Sequence, residues 1–199
     1  MNISDDDGEF LVKTARSVVT EFLKSRKRLV LSDDFKSRFS YKSGVFVTLH
    51  KVDELRGCIG FPTPERILHQ SLVDAAIASA IEDPRFPPVR YEELSDISFE
   101  ITVLTPPLMI SVEHPLEYPR KIKVGRDGLI VRWEFGSGLL LPQVPVEYGW
   151  DEEEFLNHTC EKAGANQDCW KQKNTKIFRF EGIVFKEISP NGRVVRIQL

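Results

Sequence analysis

The chain has 199 residues, 41% of them hydrophobic and 29% charged, with a net charge of −3. That supplies enough apolar side chain for one sizeable core or two smaller ones. No apolar run approaches the roughly 18–20 residues of a membrane-spanning helix, and the acidic balance argues against a sequence-independent nucleic-acid binder, which carries a basic excess.

The start, Met1-Asn2-Ile3-Ser4-Asp5-Asp6-Asp7, is acidic and polar, unlike the basic opening and apolar stretch of a secretory signal. The three cysteines, Cys58, Cys160 and Cys169, are few and odd in number. Reduced thiols in a cytoplasmic protein fit them better than a disulfide framework.

A helix is expected over roughly Gly8 to Arg28, where Phe10, Leu11, Ala15, Val18, Val19, Phe22 and Leu23 recur at helical spacing. Lys24, Arg26, Lys27 and Arg28 then complement its negative end. Val45–Lys51 and Leu55–Phe61 read as a hairpin about Asp53. Strand alternation puts Leu55, Gly57, Ile59 and Phe61 on an apolar face, and Arg56, Cys58 and Gly60 on the other. Centred on Asp53, the hairpin sets His50 opposite Arg56 and Thr48 opposite Cys58; a one-residue bulge would break that register.

Thr63-Pro64-Glu65 reads as the start of a helix running to Ile81, whose small residues Ala75, Ala76, Ala78, Ser79 and Ala80 suit close packing on a sheet. Asp83-Pro84-Arg85-Phe86-Pro87-Pro88 is a stiff loop that either aims Asp83 and Arg85 at a ligand or connects rigidly. Ile97–Leu104 alternates cleanly as a strand with Glu100 on its polar face. Residues 108–121 read as irregular. A second hairpin is expected from Ile122–Val124 and Leu129–Glu134 around Gly125–Gly128. Gly136-Ser137-Gly138 turns into a buried strand at Leu139-Leu140-Leu141, stopped by Pro142-Gln143-Val144-Pro145.

Asp151 and Glu154 form a capping box for a helix ending at Gly164, with Cys160 in its apolar face. Lys176–Ile188 is a long strand, and Pro190-Asn191-Gly192 turns it into Val194–Leu199. Hairpins dominate the connections, so the fold class is α+β: antiparallel sheets flanked by helices.

Leu55-Arg56-Gly57-Cys58-Ile59-Gly60 is the stretch that combines a charge, a thiol and two permissive backbone positions. Three readings follow. An enzyme would use Cys58 as nucleophile, its thiolate favoured by Arg56, with His50 as base and Glu100 or Asp83 orienting it. A binding module would hold an anionic small molecule or a partner protein through Arg56, Arg85 and Gln143, with Gly57 and Gly60 letting it approach the backbone. A structural hexapeptide would pack its glycines on the small-residue helix and bury Arg56 in a salt bridge to Glu100 or Asp83. The binding module is preferred because it asks least of the sequence. His50, His69, His114 and His158 show no metal spacing with the cysteines, and no phosphate loop or dinucleotide fingerprint is present, so neither metal nor cofactor is expected.

The hexapeptide, followed by Asp83-Pro84-Arg85-Phe86, Gly138–Pro145, Glu147 with Gly149-Trp150, and Phe155-Leu156 to Lys162-Ala163-Gly164 with Asp168 and Trp170, resembles the AMMECR1 family over roughly residues 45–185. Ala165 departs from the family's common leucine there. The resemblance implies one AMMECR1 domain over 1–199. It also implies two unequal subdomains with a cleft between them, the larger holding both termini. It suggests association with Memo-like and radical-SAM proteins, by gene neighbourhood alone.

Overall fold

A computed structural model describes residues 3–197. In chain order its elements are α1 (Asp5–Ser25), α2 (Asp33–Arg38), β1 (Val45–Lys51), β2 (Glu54–Phe61), α3 (Leu68–Ile81), β3 (Ile97–Leu104), β4 (Leu108–Met109), α4 (Tyr118–Lys121), β5 (Asp127–Trp133), β6 (Gly136–Leu140), α5 (Gln143–Tyr148), α6 (Glu152–Lys162), β7 (Lys176–Glu187) and β8 (Val194–Ile197). All the strand pairings with a defined register are antiparallel. The class is α+β, as the hairpin connections imply. The chain falls into two compact units: one runs to Leu104 and resumes at Ile183, the other is Thr105–Gly182.

In the first unit the strand order is β2-β1-β3-β7, with β8 also paired to β7. Val45, Val47 and Leu49 of β1 and Ile97, Phe99, Ile101 and Val103 of β3 send their side chains to one face. There they meet α1 and α3 in a continuous apolar core with Phe35, Phe39 and Phe185. Arg16 of α1 is buried and pinned: its Nε donates to Glu187 Oε1 at 2.7 Å and its Nη1 to the Leu94 carbonyl at 3.2 Å. Glu187 also accepts the Phe99 N–H at 3.0 Å, so this buried charge pair has its remaining valences filled.

In the second unit β7 pairs with β5 and β4, and β5 with β6. A separate core gathers Leu129, Val131, Phe155, Leu156, Trp170 and Ile177. Asp151 and Glu154 form the expected capping box at the start of α6. Gly138 lets α6 approach closely, since a Cβ there would lie 2.3 Å from the Ala163 nitrogen.

Several expectations need correction. Ser4 caps α1, so the helix starts at Asp5, and it ends at Ser25 with Arg26 left-handed; Arg26, Lys27 and Arg28 lie beyond its end. α3 starts at Leu68, not at Thr63-Pro64-Glu65, because β2 continues to Phe61 and residues 62–67 are used to turn the chain. No strand covers Ile122–Val124; β5 instead hairpins with β6 across Glu134-Phe135, and Gly136-Ser137-Gly138 are strand residues. Leu139, Leu140 and Leu141 are half-buried rather than buried. Cys160 and Cys169 are joined as a disulfide in the second unit's core, contrary to the reading of three reduced thiols. Two cysteines nine apart face one another because the chain turns back after α6 into the 3-10 turn Cys169–Lys171. Gln198 and Leu199, expected to end the last strand, lie outside the described residues.

Candidate functional site

The β1–β2 turn is two residues long. Val52 and Asp53 both have positive φ, 51° and 63°, and Lys51 pairs with Glu54. That conformation matches the twist of the flanking strands. His50 then pairs with Leu55 and Leu49 with Gly57, which leaves Arg56 as the extra residue of a bulge. The expected pairing of His50 with Arg56 is therefore wrong, whereas Thr48 does lie opposite Cys58. The reason is arithmetic: the turn is centred half a residue earlier than Asp53, and the bulge restores the shift. The bulge also takes Leu55 out of the apolar face, leaving it exposed.

The bulge aims Arg56 sideways along the sheet edge. Its Nη2 donates to Glu93 Oε1 at 3.1 Å, its Nε to Glu93 Oε2 at 3.3 Å, and its Nη1 to the Pro87 carbonyl at 3.0 Å. The side chain is 12% exposed. Glu93 also accepts the Arg90 N–H at 3.0 Å and Lys51 Nζ at 3.3 Å. These donors, Arg56 first, pull its carboxyl down to about 2. Arg56 thus has a structural ion pair, but its partner is Glu93, not Glu100 or Asp83. Nothing in the sequence separates Glu93 from Glu92 beside it; only the path of the proline-stiffened loop brings Glu93 round.

β2 is the outer strand of its sheet, so its free edge exposes unpaired backbone groups. Asp83 and Arg85 cover that edge at Cys58. Asp83 Oδ2 accepts the Cys58 N–H at 2.8 Å, and Arg85 Nη2 donates to the Cys58 carbonyl at 3.3 Å. The two side chains also pair with each other, at 2.9 Å and 2.7 Å. Together they occupy the place of a neighbouring strand. Asp83 is 3% exposed, and the Arg85 guanidinium holds its carboxyl far below the carboxylate range. Arg85 Nη1 is left over, on a side chain more than half exposed.

On the other side of the strand, Gly57 faces α3. A Cβ there would sit 2.1 Å from the Ser79 carbonyl oxygen, so only glycine lets helix and strand approach this closely. Gly60 faces the Phe46 ring, 2.3 Å from where its Cβ would be.

Phe46, Thr48 and His50 point away from the core. With Cys58 on one flank and Ser98, Glu100 and Thr102 on the other, they make a polar outer face. Thr48 is the hub, paired across the sheet with both Cys58 and Glu100, and its Oγ1 donates to Cys58 Sγ at 3.2 Å. Burial pushes the Cys58 thiol up, and the charges of Glu100 and Asp83 add to it; the Thr48 hydrogen bond and Arg85 oppose without overcoming them. The thiol is therefore protonated at neutral pH, and the residue bonded to it is Thr48, not His50. His50 Nε2 lies 3.4 Å from Glu100 Oε2, out of hydrogen-bond alignment. Both ring nitrogens are shielded from solvent and have no hydrogen-bond partner among the described residues.

Of the residues singled out in the sequence, the structure gathers Cys58, His50 and Glu100 on one face, and Asp83 and Arg85 on the backbone beneath Cys58. Arg56 and Gly57 belong to the supports. Gln143 opens α5 in the second unit, with its side chain exposed. Among the described residues, no group of three or more His, Cys, Asp or Glu is placed to hold a metal ion, and no helix is long and apolar enough to cross a membrane.

The AMMECR1 family model matches residues 12–185. A protein of Pyrococcus horikoshii is 52% identical over 199 residues, covering 98% of this chain and 96% of its own. One of Methanocaldococcus jannaschii is 49% identical over 196 residues, with 98% and 96% covered. The crystal structure of an uncharacterised protein from Pyrococcus horikoshii superposes with a TM-score of 0.86 at 51% identity, over 99% of each chain.

Proposed function

This chain belongs to the AMMECR1 family, and we propose that it is a binding module whose ligand lies on the outer face of β1, β2 and β3. The observation that carries the reading is His50. Two buried ring nitrogens without partners cost free energy, on the order of 1–3 kcal/mol for each unmet group. A bound donor between His50 Nε2 and Glu100 removes that cost at one of the two nitrogens. Arg85 is the cation with donors to spare, next to the Cys58 carbonyl, and suits an anionic group on the same ligand. Thr48 and Cys58 fill the floor between them. The ligand class is therefore a small polar molecule with both a hydrogen-bond donor and an anionic group. Arg56, committed to Glu93, serves as scaffold rather than as the ligand arm.

The enzyme alternative has less support, because a thiol raised by burial and bonded to Thr48 is a poor nucleophile at neutral pH.

The test is a thermal-shift screen of small zwitterions and carboxylates, repeated on His50→Phe and Glu100→Gln. A ligand at about 100 times its Kd adds roughly 2.7 kcal/mol, which is a shift of roughly 5–10 °C for a chain of this size. The shift should vanish in both variants. Hits whose shifts survive in both variants, or a screen without hits, would refute the assignment.

A further inference from the structure

A concavity in the first unit, sharing no residue with the Cys58 face, collects more cations than carboxylates. Arg28 after α1, Lys36 of α2, Arg66 before α3, and His69, Val73 and Asp74 of α3 stand in its wall, and it holds about 410 Å³. Arg28 Nη1 donates to Asp74 Oδ1 at 2.6 Å, and Arg66 Nη2 donates to Asp74 Oδ2. Two guanidinium groups thus share one carboxylate, each through a single nitrogen, so most of their donors have no partner among the described residues. Lys36 adds a third cation; its own partner, Asp33, is at 3.2 Å and fully exposed. Burial and the Lys36 charge hold His69 below its ordinary value, so it lines the wall as a neutral imidazole.

Exposed ion pairs of this kind contribute little stability, typically about 0–1 kcal/mol. Three cations, Arg28, Arg66 and Lys36, against two carboxylates, Asp74 and Asp33, leave an excess positive charge here, on a chain whose net charge is −3, from which folding gains little. Their effect is a local positive potential inside a concave surface. The same wall carries apolar side chains, Leu29, Leu31 and Val73, with Val30 87% exposed at its rim. A free inorganic anion needs no such wall.

We infer that this groove is a binding site for an organic phosphate, its phosphoryl oxygens held in the fork of Arg28 and Arg66 and its apolar body against Val30 and Val73. Arginine forks match phosphate geometry through paired N–H donors, and removing one charged arm of such a pair costs about tenfold or more in affinity.

The experiment is calorimetric titration of the full chain with phenyl phosphate and with inorganic phosphate at low salt. Phenyl phosphate should bind, and more tightly than inorganic phosphate. Arg28→Gln and Arg66→Gln should each weaken it about tenfold. Because the Arg28 and Arg66 side chains are 66% and 41% exposed and glutamine keeps much of the aliphatic stem, these variants should melt close to the parent chain. Val30→Asp, which places a like charge at the rim, should weaken phenyl phosphate without touching the fork. The inference is overturned if phenyl phosphate does not bind, if it binds no better than inorganic phosphate, or if the Arg28 and Arg66 variants bind it as the parent does.

Discussion

Asp83 Oδ2 accepts the backbone N–H of Cys58 at 2.8 Å, across 25 residues of sequence. A carboxylate thus takes the place of a neighbouring strand's carbonyl, and with Arg85 it closes the outer edge of β2 where the thiol sits. The acid is ionised because Arg85 and two backbone N–H groups favour its charged form. Three kinds of residue meet at the hexapeptide: a bulged arginine that anchors, glycines that admit a helix and an aromatic ring, and a cysteine whose backbone is clamped while its thiol faces the polar side.

Asp83→Asn should lower stability at pH 7 by about 1–2 kcal/mol, since the amide can still accept from Cys58 while Arg85 loses its counter-charge to solvent. That is roughly 2–8 °C in Tm. The folded-state value of Asp83 is depressed, so its contribution is complete above its ordinary value of 3.8 and fades as pH falls below it. The gap between parent and variant should narrow in melts taken from pH 7 to pH 2. A gap that is constant with pH would contradict the charged clamp.

Arg56→Ala should cost about 1–3 kcal/mol, and a double-mutant cycle with Glu93→Ala should show coupling of about 1–2 kcal/mol. Glu93 titrates at about 2 in the folded chain, against an ordinary 4.5. The coupling should therefore be full above pH 4.5 and decline between 4.5 and about 2. Unchanged melting in Arg56→Ala would mean that the arginine is held for a ligand instead.

Gly57→Ala should destabilise more than Gly60→Ala. The first places a methyl against a helix carbonyl that moves only if α3 moves, at about 2–3 kcal/mol or more. The second meets the Phe46 ring, which can rotate aside, and the Val45 carbonyl oxygen at 2.5 Å, a milder backbone overlap than the 2.1 Å at Gly57. Denaturant unfolding of the two variants measures the order, and equal losses would show that α3 yields as easily as the β1 backbone and the Phe46 ring together.

Thiol titration of the unfolded chain should find one reactive group without reductant and three after reduction, because Cys160 and Cys169 are bridged and Cys58 is free. In the folded chain Cys58 should label slowly at neutral pH and faster as pH rises, since burial pushes its thiol up. Three thiols without reductant would exclude the bridge.

Local pattern made much of this molecule legible in the sequence. The bounds of β3, the capping box of α6 and the α+β class follow from alternation, capping chemistry and hairpin spacing, all of which act over a few residues. The Leu55–Gly60 stretch stands out as a candidate site from its composition, and the Thr48–Cys58 pairing is readable even through a misplaced turn. Other features depend on contacts that no short window contains. The bulge at Arg56 is set by the two-residue turn acting together with the packing of Gly57 on Ser79. Glu93 reaches Arg56 from 37 residues away, Asp83 turns inward to a backbone amide instead of outward to a ligand, and Cys169 meets Cys160 only after α6 has ended. Sequence determined which residues are chemically able to make a site, because side-chain type is local. Tertiary structure decided which of them are spent on holding it, because charge pairing and edge capping are settled by distance in space.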